Sequence, residues 1–277
     1  MIDSTDRSHP LSSGFDHRPV MVLQITDTHL YASPDWTHRG VNTQASLDAV
    51  LARACADPRW PPDAVIVTGD IVHDESRAGY LRFRNTLESL ALPAFCIPGN
   101  HDDPELLEDC LAASRIQVCG ETRLGTWRVI LLSTFGEGAL GGALGHRELT
   151  RMESALDKHP DEPTLICMHH PPVAMGSAWL DSPPLGDAGP FMQLVGRHPQ
   201  VCAVLWGHVH QASDREIGGV RYLSTPSTCV QFRPNHDVCA IDDLPPGMRW
   251  MALEPDGGIT TEVIWAEISA RPAADSR

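Results

Sequence analysis

The feature that most constrains this chain is a series of short polar clusters, each placed directly after an apolar run. The apolar runs are rich in Val, Ile and Leu and have the length of buried strands. Glycine or proline stands beside most of the clusters, so the chain turns there. In chain order the clusters are Asp27-Thr28-His29, Gly69-Asp70, Gly99-Asn100-His101-Asp102, His169-His170 and Gly207-His208-Val209-His210. The pattern predicts strand ends that bring carboxylates, imidazoles and one amide into a single cleft.

The segments between these clusters predict strands that alternate with helices. Apolar strand-like runs are Val20 to Ile25, Ala64 to Val67, Ala94 to Ile97, Trp127 to Thr134, Thr164 to Met168 and Val201 to Trp206. Helices are expected over Thr43 to Cys55, Arg77 to Leu90, Asp103 to Ala113 and His146 to His159. Four later strand-like segments lack intervening helices: Val220 to Leu223, Cys229 to Phe232, Arg249 to Leu253 and Thr260 to Glu267. We expect these late strands to form a second sheet packed on the first, with helices on the outer faces.

The length and composition favour one large domain and limit its partners. A chain of 277 residues with 42% hydrophobic content can bury a substantial core. Residues 20–268 are expected to form one domain between disordered tails at 1–19 and 269–277. The formal charge of −15 argues against a nucleic-acid or anionic-membrane surface. It does not exclude a phosphate substrate, because bound cations reverse the field locally.

The cysteines and the N-terminal segment bear on the compartment. The eight cysteines include no Cys-x-x-Cys pair, and several lie in apolar runs, so buried reduced thiols are expected. Residues 1–19 lack the apolar region of a signal peptide. No apolar stretch reaches membrane-spanning length. These features predict a soluble cytoplasmic enzyme, with monomer and homodimer both open.

The donor types in the clusters suit a centre with two metal ions. Two close cations repel each other and need a bridging ligand, which a carboxylate supplies, so we assign Asp70 as the bridge. The first ion is assigned to Asp27, His29 and His210, and the second to Asn100, His169 and His208. Imidazole, carboxylate and amide donors without thiolate suit iron, manganese or zinc, and argue against calcium or magnesium alone.

Individual assignments have alternatives. Asn100 could serve only as a turn former, although its place before a His-Asp pair favours ligation. Of His169 and His170, the first is preferred because it lies farther from Pro171.

The clusters, in this order, resemble the calcineurin-like metallophosphoesterases, whose pattern is D-x-H, GD, GNH[DE], H and GHxH. The resemblance implies an α/β fold, a four-layer αββα sandwich of two mixed β-sheets flanked by helices. It implies a two-metal site on loops at the sheet edge. It also points to iron or manganese as the two ions per chain, with zinc as an alternative.

A narrower resemblance, over roughly residues 20 to 265, is to the bacterial class III 3′,5′-cyclic AMP phosphodiesterases. It is carried by segments such as Gly40-Val41-Asn42-Thr43, Trp179-Leu180-Asp181 and the stretch 225–232. The last segment contains no expected metal ligand and either serves packing or shapes the substrate cleft. Asp103 and the stretch 185–189 differ from that subgroup.

This resemblance implies hydrolysis of 3′,5′-cyclic AMP to 5′-AMP by attack of a metal-bridging hydroxide. The leaving 3′-oxygen then needs a proton donor. His101, which directly follows a ligand, is expected either to supply that proton or to stabilise the phosphoryl oxygen. Asp102 or a backbone carbonyl is expected to fix the tautomer of His101. Asn100, His101 and His210 are expected to contact the substrate.

Three other functions share part of this pattern. A broader phosphodiesterase or phosphomonoesterase, acting on glycerophosphodiesters or 2′,3′-cyclic nucleotides, would use the same metal core. A catalytically silent metal-binding module is disfavoured because the full donor set is retained. A nuclease is disfavoured by the acidity and by the lack of a basic patch with interleaved aromatics. The expected partner is therefore a small cyclic nucleotide, without nucleic acid or membrane.

Overall fold

The structure, a computed structural model, describes residues 18–136 and 141–267. The tails expected at the two ends lie almost wholly outside these residues, so they stay a prediction, as do the domain bounds 20–268. No helix in the described part of the chain is both long and apolar enough to cross a bilayer. All eight cysteines lie in the described part of the chain, and all are free thiols. Four of them are buried, as expected, and two are exposed, namely Cys55 and Cys239.

Three of the five helices of the described residues begin where a polar side chain caps their first amide groups. Asn42 accepts a hydrogen bond from the Ala45 N–H, and Asp103 accepts from the Glu105 and Leu106 N–H groups just before Pro104. The helices of the described residues are α1 (Thr43–Cys55), α2 (Arg77–Leu90), α3 (Pro104–Leu111), α4 (Gly145–Lys158) and α5 (Ala188–Arg197). The first four agree with the sequence prediction to within two residues at each end. The fifth is absent from that prediction.

The strands are mostly short apolar runs that are buried along most of their length. In chain order they are β1 (Val20–Ile25), β2 (Thr37–His38), β3 (Val41–Asn42), β4 (Ala64–Thr68), β5 (Ala94–Ile97), β6 (Ile116–Val118), β7 (Gly120–Leu124), β8 (Trp127–Leu131), β9 (Thr164–Cys167), β10 (Val201–Trp206), β11 (Ser213–Ile217), β12 (Val220–Ser224), β13 (Gln231–Phe232), β14 (Ile241–Asp242), β15 (Gly247–Leu253) and β16 (Ile259–Trp265).

Two six-stranded mixed sheets contain most of these strands. The first has the order β16-β15-β1-β4-β5-β6, and the second has the order β11-β12-β10-β9-β8-β7. In each sheet four neighbouring strands are parallel, which are β1, β4, β5 and β6 in the first and β12, β10, β9 and β8 in the second. The remaining strands pair antiparallel at the edges.

Three apolar layers hold the sandwich together. Side chains from both sheets, such as Ile66, Phe95, Val129 and Leu205, form a central core between them. The outer face of the first sheet packs against α1, α2 and α3. The outer face of the second sheet packs against α4 and α5. The expected four-layer αββα sandwich is therefore confirmed.

The composition of the second sheet differs from the sequence prediction. We expected the late strands to build it, but β15 and β16 return to the first sheet, where β15 pairs antiparallel with β1. Of the four late segments only Val220 to Leu223 lies in the second sheet, as β12, and the other strands of that sheet come from residues 120–217. The run 229–232 is strand only at Gln231–Phe232, in a separate small ribbon with β14. Alternation within a strand does not specify its partner, so these long-range pairings were not visible in the sequence.

Candidate metal centre

The five polar clusters follow the carboxyl ends of parallel strands in both sheets. Three follow β1, β4 and β5 of the first sheet, and two follow β9 and β10 of the second. Loops at such strand ends meet at one edge, where open α/β sheets bind ligands. Backbone hydrogen bonds join the first two loops, from the Asp27 N–H to the Gly69 carbonyl (3.0 Å) and from the His29 N–H to the Asp70 carbonyl (2.9 Å).

Asp27, His29 and His210 form one side of a buried cluster. Nε2 of His210 lies 3.2 Å from Nε2 of His29 and 3.4 Å from Oδ1 of Asp27. One donor atom from each residue lies within 4.8 Å of the other two. These are the three residues assigned to the first ion, and their donor atoms lie close enough together to bind a single metal ion.

Asn100, His169 and His208 form the other side. Oδ1 of Asn100 lies 3.1 Å from Nε2 of His169 and 2.9 Å from Nδ1 of His208. His170, the less favoured of the two adjacent histidines, also has a donor atom near those of His169 and His208. Its Nδ1 lies 2.8 Å from the Thr134 hydroxyl. The three residues assigned to the second ion thus lie together, with His170 beside them.

Asp70 lies between the two sides. Its Oδ2 is 3.7 Å from Nε2 of His29, and its Oδ1 is 3.4 Å from Nε2 of His169. The backbone N–H of His101 also donates to Oδ1 of Asp70 at 2.9 Å. Each carboxylate oxygen therefore faces a different half of the cluster, which is the arrangement that a bridging ligand requires.

The ring nitrogens that face away from the cluster have defined partners. Nδ1 of His169 donates to the Thr68 carbonyl at 2.7 Å, and Nδ1 of His210 donates to the Val230 carbonyl at 2.7 Å. Such bonds fix the tautomer and the ring orientation of a metal-ligating imidazole. In both residues Nε2 is left to face the centre.

The backbone is strained at the candidate ligands. Asp27 (φ 54°), His29 (φ 45°), Asp70 (φ 50°), His208 (φ 64°) and His210 (φ 49°) all adopt the left-handed region. This region costs non-glycine residues of order 1–3 kcal/mol each, and such residues concentrate at functional sites. The loops thus hold these five side chains in place at the expense of backbone energy.

Close approach of the loops requires glycine at two positions. A Cβ atom at Gly99 would lie 2.1 Å from Oδ1 of Asp70, and one at Gly207 would lie 2.1 Å from Oγ1 of Thr26. Both distances are far inside van der Waals contact. The glycines that mark the clusters in the sequence therefore allow the loops to touch.

The electrostatics of the cluster suit bound cations. Burial favours the neutral form of Asp70, but the nearby His169 and His29 hold the pKa of Asp70 well below its usual range. Burial lowers the pKa of His29 and of His208, which keeps these imidazoles neutral and able to ligate. Burial also lowers the pKa of His169, but the charge of Asp70 overrides it and raises that pKa to about 9. Ionised carboxylate and neutral imidazole donors fit transition-metal ions.

The contacts of Asp102 differ from the expected role. Its buried carboxylate accepts hydrogen bonds from the N–H groups of Gly99 (2.8 Å), Ile71 (3.1 Å) and Val72 (3.0 Å), and from the Tyr80 hydroxyl (3.0 Å). Burial, followed by the charge of Asp70, raises the pKa of Asp102 to about 7. The carboxylate therefore ties two candidate ligand loops together and does not orient the ring of His101. Of the two groups expected to fix the tautomer of His101, Asp102 is thus bound elsewhere, and a backbone carbonyl stays as the other alternative.

A cavity of about 370 Å³ opens above the cluster and is lined by His101, Asn100, Trp179 and Phe232, among others. Phe232 stacks on the His210 ring with centroids 4.3 Å apart. Phe232 and Val230 both contact His210, so the segment 225–232 lies beside the candidate metal centre. In the same segment the Ser227 hydroxyl donates to the Asp27 carbonyl at 2.8 Å. Of the two interpretations of this segment, the structure favours the one in which it shapes the cleft.

The fold and the donor set define a class of protein. Residues 20–212 match the calcineurin-like phosphoesterase family, so the chain belongs to that family. It is 39% identical over 256 residues to the 3′,5′-cyclic adenosine monophosphate phosphodiesterase CpdA of Vibrio vulnificus, covering 92% of this chain and 93% of that protein. CpdA of Escherichia coli K12 is 37% identical over 245 residues, covering 88% of this chain and 89% of that protein.

A crystal structure of a dimetal phosphatase from Danio rerio superposes with a TM-score of 0.60 at 16% identity, covering 90% of this chain and 100% of that chain. At that identity the likeness concerns the fold alone. The family match and the identities to the two CpdA proteins confirm both resemblances inferred from the sequence motifs.

Proposed function

We propose that this chain is a metal-dependent phosphodiesterase that hydrolyses 3′,5′-cyclic AMP to 5′-AMP. The observation that carries the proposal is the convergence of seven oxygen and nitrogen donors, from five loops, below an open cavity. The relatives that bear this activity in their names match the chain over about nine-tenths of its length.

The metal pair is assigned to the two halves of the cluster, with Asp70 shared between them. Asp27, His29 and His210 would hold one ion, and Asn100, His169 and His208 would hold the other. Two cations bound there would activate water and neutralise the charge of the phosphate. The donors suit iron or manganese, with zinc as an alternative, and the absence of thiolates among them disfavours a purely structural zinc site.

His101 donates the proton that the leaving 3′-oxygen needs. Its backbone N–H donates to Asp70, and its partly exposed ring lines the cavity, so its imidazole would lie beside a phosphate held by the metal pair. A positioned imidazole is an effective general acid near neutral pH. Asn100, whose Oδ1 faces the two imidazoles, has its amide nitrogen left to donate to a phosphate oxygen. His210, which also lines the cavity, would contact the substrate as well.

The test starts from metal-free protein reconstituted separately with manganese, iron and zinc. Turnover is measured on 3′,5′-cyclic AMP, 2′,3′-cyclic AMP and a glycerophosphodiester, with the products separated by chromatography. We expect 5′-AMP from the first substrate and the highest kcat/KM on it. Failure to cleave 3′,5′-cyclic AMP, with cleavage of either other substrate, would establish the broader phosphodiesterase instead.

The role of His101 is tested separately with His101→Gln. We expect turnover to fall by about 10²- to 10⁴-fold, the usual contribution of a general acid, with two metals per chain retained. His146→Gln, on α4 away from the cavity, is the matched control. Full turnover in His101→Gln at unchanged metal content would exclude this role.

A further inference from the structure

A second group of imidazoles lies beside the candidate metal pair, on the side of the cavity. The rings of His73 and His101 stack with centroids 4.4 Å apart, and the His38 ring lies 4.4 Å from that of His73. His29 joins the two groups, since its ring centroid is 5.1 Å from His101 and 5.2 Å from His73. Neither His38 nor His73 belongs to the donor set assigned to the pair.

Ring nitrogen atoms of His29, His73 and His101 lie close together. Nδ1 of His29, the ring nitrogen opposite the one that faces Asp70, lies 3.1 Å from Nδ1 of His73. One ring nitrogen from each of His29, His73 and His101 lies within 4.8 Å of the other two. Imidazole nitrogens bound to zinc at ~2.0–2.1 Å stand about 3.4 Å apart around a tetrahedral ion. The separations found here, 3.1 Å between His29 and His73 and at most 4.8 Å to His101, are near that spacing, and three histidine ligands would leave a fourth position open.

An ion can reach this position. His73 and His101 are only partly buried, and both line the cavity that leads to solvent. Their loops follow β4 and β5, and the carboxylate of Asp102 joins these loops through hydrogen bonds to the Ile71 and Gly99 amides. The two rings are thus held on a rigid base, which favours tight binding of a metal.

We propose that His29, His73 and His101 form a third cation site, which takes Zn²⁺ and inhibits the enzyme when filled. Zinc binding removes the remaining ring proton of His29 to solvent, so that this imidazole bridges the new ion and the neighbouring one. It also occupies the nitrogen of His101 that protonates the leaving group. The inhibitory part rests on the proposed role of His101, whereas the ion site does not.

The experiment counts ions as well as rate. Wild-type protein reconstituted with manganese is dialysed against increasing Zn²⁺, and both metals are counted per chain by mass spectrometry. Turnover of 3′,5′-cyclic AMP and of bis(p-nitrophenyl) phosphate is measured on the same samples. His73→Gln keeps an acceptor for the His29 ring N–H but lacks an imidazole. His38→Gln is the matched control, because His38 lines the same cavity and its Nδ1 lies 3.2 Å from the Tyr31 hydroxyl, outside the three-histidine set.

We expect wild type and His38→Gln to bind three ions per chain in total, whichever metal fills the pair, with turnover falling by at least about 10²-fold as the general acid is lost. His73→Gln should bind no more than two ions per chain and should be inhibited far less at the same Zn²⁺ concentration; His73→Asn serves if the glutamine variant does not fold.

A total of only two ions per chain in zinc-inhibited wild type, or equal inhibition of wild type and His73→Gln, would overturn the proposal. If the protein does not cleave 3′,5′-cyclic AMP, the ion count and the turnover of bis(p-nitrophenyl) phosphate still test the third cation site. Failure of the third site is therefore distinguishable from failure of the proposed function.

Discussion

Replacement of Gly99 by alanine tests whether the spacing of the two central loops controls catalysis. A Cβ atom there would lie 2.1 Å from Oδ1 of Asp70, 2.4 Å from the Asp70 backbone nitrogen and 2.7 Å from Cε1 of His169. One of these atoms is backbone, and the other two belong to the short, buried side chains of Asp70 and His169, which have little room to move. The alanine therefore acts directly on the carboxylate that both ions are proposed to share.

The size of the effect follows from the overlap. Ordinary van der Waals contact begins at 3.4 Å, so the Asp70 oxygen must move by more than about 1 Å, and a displacement of that size costs a catalytic group about 10²-fold in rate. Overpacking of a buried site also costs roughly 1–3 kcal/mol of folding free energy. We therefore expect kcat on 3′,5′-cyclic AMP to fall by at least about 10²-fold, with weaker metal binding.

The assay compares kcat, metal content and thermal unfolding of Gly99→Ala with those of Gly196→Ala. A Cβ atom at Gly196, in α5, meets nothing within 4 Å, and alanine is favoured there by roughly 0.5–1 kcal/mol. This control should keep full activity and gain stability. A Gly99→Ala protein with two metals per chain and turnover close to wild type would refute the reasoning, because the loops would then tolerate the displacement.

Three further predictions concern the same centre. Asp70→Asn removes the shared charge and should leave fewer than two metals per chain, with turnover reduced by more than the ~10–100-fold typical of outer-shell partners; unchanged metal content in mass spectrometry would contradict the bridge. Asp102→Asn, which turns an amide donor toward backbone N–H groups, should lower the free energy of unfolding by about 1–3 kcal/mol in urea titration, whereas a stability equal to wild type would show that the loops do not depend on this carboxylate. Metal affinity, measured by calorimetry, should weaken as pH falls from about pH 9 to about pH 6, because His169, with its pKa raised to about 9, must lose a proton before it ligates; a flat profile would count against His169 as a ligand.

The elements that the sequence predicted best are those with a strong local signal. Helices α1 and α2 agree with the prediction at both ends, because their buried residues recur at helical spacing and because Asn42 and Ser76 cap them. Helix α5 was missed, although Phe191, Leu194 and Val195 form its buried face. The preceding stretch, rich in proline and glycine, concealed that spacing.

The expected metal ligands are brought together in the structure because each follows a strand that ends at the same edge. Their pattern in the sequence already contained that information, since strand ends are marked by apolar runs and glycines. The groups that orient the ligands were harder to predict. A backbone carbonyl such as that of Val230, or an imidazole such as His73, has no residue signature and acquires its role through long-range contact.

The return of the last two strands to the first sheet has a consequence for biosynthesis. Strand β1, which precedes the first polar cluster, lies between β4 and β15, and β15 begins only at Gly247. When all seven candidate metal ligands have been synthesised on the ribosome, β15, the second neighbour of β1, has not yet been made. The strand that precedes Asp27 and His29 therefore gains its second neighbour only after residues 247–253 have been synthesised.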